Sequence, residues 1–238
     1  MEFLDHVSEL RNRLIYVVIS IIIGSVLCYF FSGQIFNLLS KPYFSSFSGF
    51  ELIGTGPAEA FLLKIKVAIF SGLILASPFI FFQLWKFIEP GLHNNERKLF
   101  IPFILFSSIL FLIGVIFCYW IVLPLAFKFF EAQYASIGVT PTIRISEHLS
   151  ILIKALLGFG IIFELPVLSL LLAKLGVIDH KFLIKYFRHS LVIIFILSAF
   201  LTPPDVLSQF LMAGPLIVLY GVSILLVKYS EKDIKSED

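Results

Sequence analysis

From Leu99 to Ala126 the chain carries no charged residue, and that run excludes most of what a chain of 238 residues could otherwise fold into. At a rise of 1.5 Å per residue it makes a helix of roughly 40 Å, longer than a hydrocarbon layer about 30 Å thick. Further membrane-length apolar runs, with at most three charged residues each, lie at Leu14–Phe31, Ala60–Phe87, Leu149–Leu175 and Val206–Val227. The hydrophobic share is 59%, the charged share 14% and the mean hydropathy +1.00, whereas soluble domains have an apolar share nearer half. The expectation is an all-α integral membrane protein. Phe is abundant at 28 residues, which suits lipid contact and helix packing and identifies no ligand.

The fourth run contains one carboxylate, Glu164, ten residues from Lys154 and ten from Lys174. That places roughly 15 Å of helix on either side of the acid, so it sits near mid-membrane. An ionised group there costs roughly 2.5 to 3.5 kcal/mol on insertion scales and usually faces a cavity, a partner or a proton path. A neutral carboxyl hydrogen-bonded within the bundle satisfies the same physics. Gly158 and Gly160 allow a neighbour to approach closely, and Pro166 removes a backbone donor and should bend the helix beside Glu164.

Taken in order, Met1 to Arg13 reads as a short amphipathic helix, with Phe3, Val7, Leu10 and Leu14 opposite Asp5, His6, Glu9 and Arg13. It feeds the first span and has no small-x-small cleavage site, so it is not expected to be removed. Ser32 to Ala58 reads as a mixed loop over the membrane surface. Gly56, Pro57 and Glu59 open span two, and Trp85 and Lys86 mark its interfacial end. Span three covers residues 99–126, with Tyr119 and Trp120 as the opposite belt. Lys128 to Glu147 reads as a second irregular loop whose alternating Thr142 to Ser146 is too slight to build a strand on.

The fifth span, residues 189–202, has an apolar centre from Leu191 to Leu201 only eleven residues long. Roughly 16 Å of helix is too short for an undisturbed bilayer, which implies local thinning or shelter by protein. Pro203, Pro204 and Asp205 turn the chain into span six, residues 206–227. Residues 1–228 thus read as one six-span membrane domain, and residues 229–238 as a charged, disordered tail. Twelve of the 18 Lys and Arg lie on the face that holds both termini, which places the termini in the cytoplasm by the positive-inside rule.

Enzyme chemistry lacks its parts. The five histidines lie near span ends, no H-E-x-x-H, G-x-S-x-G or phosphate-cradling loop is present, and no span contains Asp. No catalytic residue, metal ligand or cofactor is expected, and a net charge of +2 does not argue for nucleic acid. Cys28 and Cys118 read as small buried hydrophobes, with a disulfide as the less favoured alternative. Glu9 and Glu96 stand at the entrances of two spans amid basic residues. Each has an ordinary explanation, a helix pair with Arg13 for Glu9 and a helix amino terminus for Glu96. Together they could form an acidic patch suited to a cation such as Arg, whose fork binds carboxylates bidentately. Thr202 and Gln209 could hydrogen-bond a polar group on another helix or simply cap backbone.

Five ordered motifs resemble the TatC family, the polytopic subunit of the twin-arginine protein translocase. They are HVSELRNRL at His6 to Leu14, GPAEAFLLK at Gly56 to Lys64, FIEPGLHNNERK at Phe87 to Lys98, FELP at Phe163 to Pro166 and TPPDVLSQ at Thr202 to Gln209. Val7 stands where Leu is more usual, a one-methylene change on an apolar face. The resemblance implies a curved, glove-like bundle in the bacterial inner membrane or an equivalent plastid membrane. It implies that Glu9 and Glu96 receive the paired arginines of a folded cargo protein's signal peptide, with Arg11 and Phe87 in the same site. Glu164, beside Pro166, would face the concave surface. Thr202 and Gln209 would dock small single-span subunits of the TatA or TatB type within an oligomeric complex driven by the proton motive force. Two rivals remain at this point: a proton-coupled solute transporter using Glu164, and a purely structural scaffold.

Overall fold

The computed structural model describes residues 3–47, 51–89, 100–201 and 206–237. Helix α1, Phe3–Tyr29, is continuous. The amphipathic segment and the first span are therefore one rod, and Val7, Leu10 and Leu14 remain exposed on it. Helix α2, Ser32–Ser46, follows at once where the sequence suggests a loop. The helical spacing of Leu39, Tyr43 and Phe47 is masked by Gly33, Pro42 and the serines around them, and tertiary burial of those three residues holds the helix in place.

Helix α3, Glu59–Ile88, is the second span and contains Pro78. At its start the Glu59 carboxylate accepts the backbone N–H of Thr55 at 2.5 Å and that of Gly56 at 3.3 Å, closing the entry turn. The third span is longer than expected. Helix α4, Phe100–Phe117, passes through a π-helical turn at Cys118–Val122 into α5, Leu123–Ser136, so half of the anticipated second loop is helix. Gly138, at φ +67°, supplies the left-handed turn that ends it. The chain then forms a minimal parallel pair, β1 (Leu52–Ile53) with β2 (Ile143–Arg144), in the register Leu52 to Ile143.

The fourth span is broken. Helix α6, Ile145–Ile162, stops two residues before α7, Leu165–Lys174, and Glu164 lies in the break. The cause is local: Pro166 cannot donate to the carbonyl of Ile162, and its ring excludes that carbonyl. Gly176, at φ +69°, ends α7, and Asp179 caps α8, His180–Lys185, by accepting the Phe182 N–H at 2.6 Å. Helix α9, Phe187–Leu201, is apolar but short, about 22 Å at the helical rise. Helix α10, Val206–Glu237, continues through the tail read as disordered, because no breaker separates it from the span.

Five helical stretches among the described residues are long and apolar enough to cross a membrane: 7–29, 59–88, 101–136, 145–174 and 212–230. α1 and α3 pack most closely. A Cβ on Gly72 would fall 2.7 Å from the Ser25 Cα, and one on Gly24 would fall 2.8 Å from the Gly72 carbonyl oxygen, so backbone meets backbone. α4 and α6 approach similarly, with Gly160 against the ring of Phe111. Cys28 and Cys118 are free thiols, the first half-buried and the second fully buried.

Candidate functional site

Two contacts fix how α1 and α3 align. Gly24 meets Gly72, and Arg13 Nη1 donates to Gln83 Oε1 at 3.5 Å. The helices are antiparallel, with the two contacts eleven positions apart on each helix. One further turn brings Glu9, four residues before Arg13, level with Phe87, four residues after Gln83. Two residues expected in one site, 78 positions apart in sequence, thus share the same end of the same helix pair.

Glu9 is held there by Arg13. Both Arg13 Nε, at 3.0 Å, and Arg13 Nη2 donate to the same oxygen, Glu9 Oε1. The ordinary helix pair anticipated from the spacing therefore exists. The Glu9 side chain is 25% exposed. Arg13 also reaches α3 through Gln83, so one guanidinium ties the acid to the second helix. Arg11 is exposed two residues on, which puts it on a different side of α1 from Glu9. Phe87 is half-buried in the last turn of α3. Glu96 lies outside the described residues.

One turn beyond Arg13 a groove begins. Val17 and Ile21 of α1, Phe81 and Trp85 of α3 and Leu168 of α7 line a cavity of about 400 Å³, and Glu164 forms part of its wall. Glu164 is 6% exposed. Its carboxyl group takes hydrogen bonds from the Ser107 hydroxyl and the Phe111 backbone N–H, while Oε1 has no partner among the described residues. Ser107 in turn accepts the indole N–H of Trp85 at 3.1 Å. An indole N–H only donates, so Ser107 Oγ must accept from it, and the hydroxyl hydrogen is then free to serve Glu164. Trp85 is not the interfacial anchor that the sequence suggests. It is 2% exposed and stacked on Phe103 at 4.7 Å between centroids.

At the far side of the bundle the Gln209 side chain donates to the Phe195 carbonyl at 2.9 Å, joining α10 to α9. Of the two roles open to it from sequence, it takes backbone binding across helices. Gln209 borders an open apolar groove of about 670 Å³ with Arg188, Leu191 and Phe195. Thr202 lies outside the described residues.

Sequence reasoning missed Gln83, Ser107 and the structural part played by Arg13. Gln83 carried a detectable signal, a buried amide in an otherwise apolar span. Ser107 carried none, since serine is unremarkable in a membrane helix.

The model of the Sec-independent protein translocase protein family (TatC) matches residues 5–215. The chain belongs to the TatC family. Its relatives include the Sec-independent protein translocase protein TatC of Campylobacter jejuni, 40% identical over all of this chain and 99% of that protein. The TatC of Aquifex aeolicus is 39% identical over 99% of this chain and 98% of its own length. A crystal structure of the twin-arginine translocase receptor TatC superposes with a TM-score of 0.83 at 40% identity, covering 93% of this chain and 97% of that one. A second, in the detergent DDM, gives 0.86 over 94% and 99%. The helical arrangement described above is thus the TatC fold.

Proposed function

We propose that this TatC-family protein is the signal-peptide receptor and organising core of a twin-arginine translocase, a multi-pass protein of the bacterial inner membrane with no catalytic turnover of its own. Six spans with both termini in the cytoplasm suit this reading, with α9 as the short fifth span. Glu9 and Glu96 take the paired arginines of the signal peptide, and Phe87 packs against its apolar part. Arg11, exposed on α1, is a supporting position in the same site. Thr202 and Gln209 receive the small single-span subunits beside the α9–α10 groove. Glu164, in the helix break beside Pro166, forms part of the wall of the groove that the peptide's apolar segment enters.

The observation that carries this reading is the Glu9 carboxylate, held at the helix end through Oε1, level with Phe87 and still partly exposed. Charges about 4 Å apart at an effective dielectric near 20 attract by roughly 4 kcal/mol before desolvation, enough for two such pairs to dominate recognition. Lysines, without the planar fork, should bind less well. The test is photo-cross-linking of an RR signal peptide, and of its KK counterpart, to the wild type and to Glu9→Ala and Glu96→Ala. Each substitution should abolish RR cross-linking. Undiminished cross-linking in the double variant would remove both residues from the site.

A further inference from the structure

A second cavity, distant in sequence from the groove, lies among α2, α5 and the start of α6. Its volume is about 300 Å³, some ten times a water molecule's share of the liquid, and its walls include Tyr43, Phe47, Phe127, Tyr134 and His148. The rings are interlocked. Tyr43 stacks on Phe47 at 4.9 Å, lies 4.8 Å from the His148 imidazole, and meets Phe127 edge-on at 5.8 Å. Tyr43 is 0% exposed and His148 3% exposed. Yet among the described residues the Tyr43 hydroxyl and His148 Nε2 have no hydrogen-bond partner. Buried polar atoms are nearly always paired, and two orphans lining one cavity point to a polar group that enters it. Glu147 also borders the cavity and is exposed, and no lysine or arginine lines it.

We propose that this cavity is a binding site for a primary ammonium group carried on a small apolar or aromatic body. An ammonium donates three hydrogens and accepts none. The Tyr43 hydroxyl oxygen, the His148 imidazole nitrogen and the Glu147 carboxylate are three acceptors that match it. Ring faces attract a cation, and the hydrocarbon walls receive the body that carries it. An anion would meet Glu147 with no basic residue in the lining to offset it. A purely apolar guest would leave both buried polar atoms unpaired.

The test is saturation-transfer NMR on the purified full-length chain in detergent, with 2-phenylethylammonium chloride and its neutral counterpart 2-phenylethanol as probes. The ammonium should bind at least tenfold more tightly than the alcohol. Tyr43→Phe, which removes only the hydroxyl, and His148→Phe, which keeps a ring, should each weaken the ammonium severalfold and more than they weaken the alcohol, whose single hydroxyl hydrogen can reach only one acceptor at a time. Tyr43→Phe preserves the aromatic packing, so it remains informative if His148→Phe fails to fold. Nanodiscs separate two sources of the same chemistry. Competition in phosphatidylethanolamine but not phosphatidylcholine discs assigns the site to a lipid headgroup, and equal binding in both assigns it to free amines. Equal affinity for the two probes, or ammonium binding unchanged in both variants, would overturn the proposal.

Discussion

The indole N–H of Trp85 donates to the Ser107 hydroxyl across 3.1 Å, and the same hydroxyl serves the carboxyl of Glu164. Two helices and the break in the fourth span are joined through one oxygen atom. Ser107→Ala leaves the buried indole N–H of Trp85 without a partner and removes one of the two donors to the buried Glu164 carboxyl, at an expected cost of about 1–3 kcal/mol. Because Ser107 and Glu164 share a contact, Glu164→Gln should lower the thermal midpoint less in the Ser107→Ala background than in the wild type. Thermal unfolding of the four proteins in detergent measures this, and strictly additive losses would show the two side chains to be uncoupled.

The contact between Gly24 and Gly72 sets the register that brings Glu9 level with Phe87. A methyl group on Gly72 would meet the Ser25 Cα at 2.7 Å, and backbone cannot step aside as a side chain can. Gly72→Ala should therefore destabilise the protein by about 1–3 kcal/mol and weaken signal-peptide cross-linking with it. A methyl group on Gly214 in α10 would meet nothing within 4 Å. Gly214→Ala should be neutral or stabilising by up to about 1 kcal/mol, which makes it the control.

Arg13 makes three contacts with three nitrogens, two to Glu9 and one to Gln83. Lysine has one nitrogen and no fork, so Arg13→Lys keeps the charge and loses the geometry. The pair is partly exposed, and the stability cost should stay below about 1 kcal/mol. Peptide affinity should fall severalfold all the same, because Glu9 would no longer be held toward α3. Titrating a fluorescent RR peptide reads the affinity, and an unchanged dissociation constant would mean that Arg13 does not position Glu9.

Pro166 stands four residues after Ile162, in the first turn of α7 just past the break. Pro166→Ala restores the missing donor, so the span should straighten and draw Glu164 away from the groove. In a chain with Cys28 and Cys118 replaced by alanine, spin labels at Ile151 and Leu172 should move apart by several ångströms in pulsed EPR. An unchanged distance would assign the break to packing by neighbouring helices instead.

Features legible in the sequence depend on residues close together along the chain. The Pro166 break and the shortness of α9 follow from composition within one or two turns. So does the pairing of Glu9 with Arg13, one turn apart. What failed was reading the connections. Ser32 to Ala58 and Lys128 to Glu147 carry the glycines, prolines and serines of loops, yet α2 and α5 occupy much of both. Their helices are stabilised by the buried cluster of Tyr43, Phe47 and Phe127, whose members come from distant parts of the chain.

Sequence alone therefore determined that this is a helical membrane protein with one acid set deep in a span, because hydrophobic length and single charges in hydrocarbon are local constraints with large free energies. Its motifs also pointed to the TatC family. Only the tertiary structure decided that Trp85 is core rather than interface, that Arg13 reaches Gln83 across 70 positions, and that Tyr43 meets His148 around a cavity. Each of those depends on which faces of two helices come together, and that is set by the packing of the whole bundle, here by backbone contact at Gly24 and Gly72.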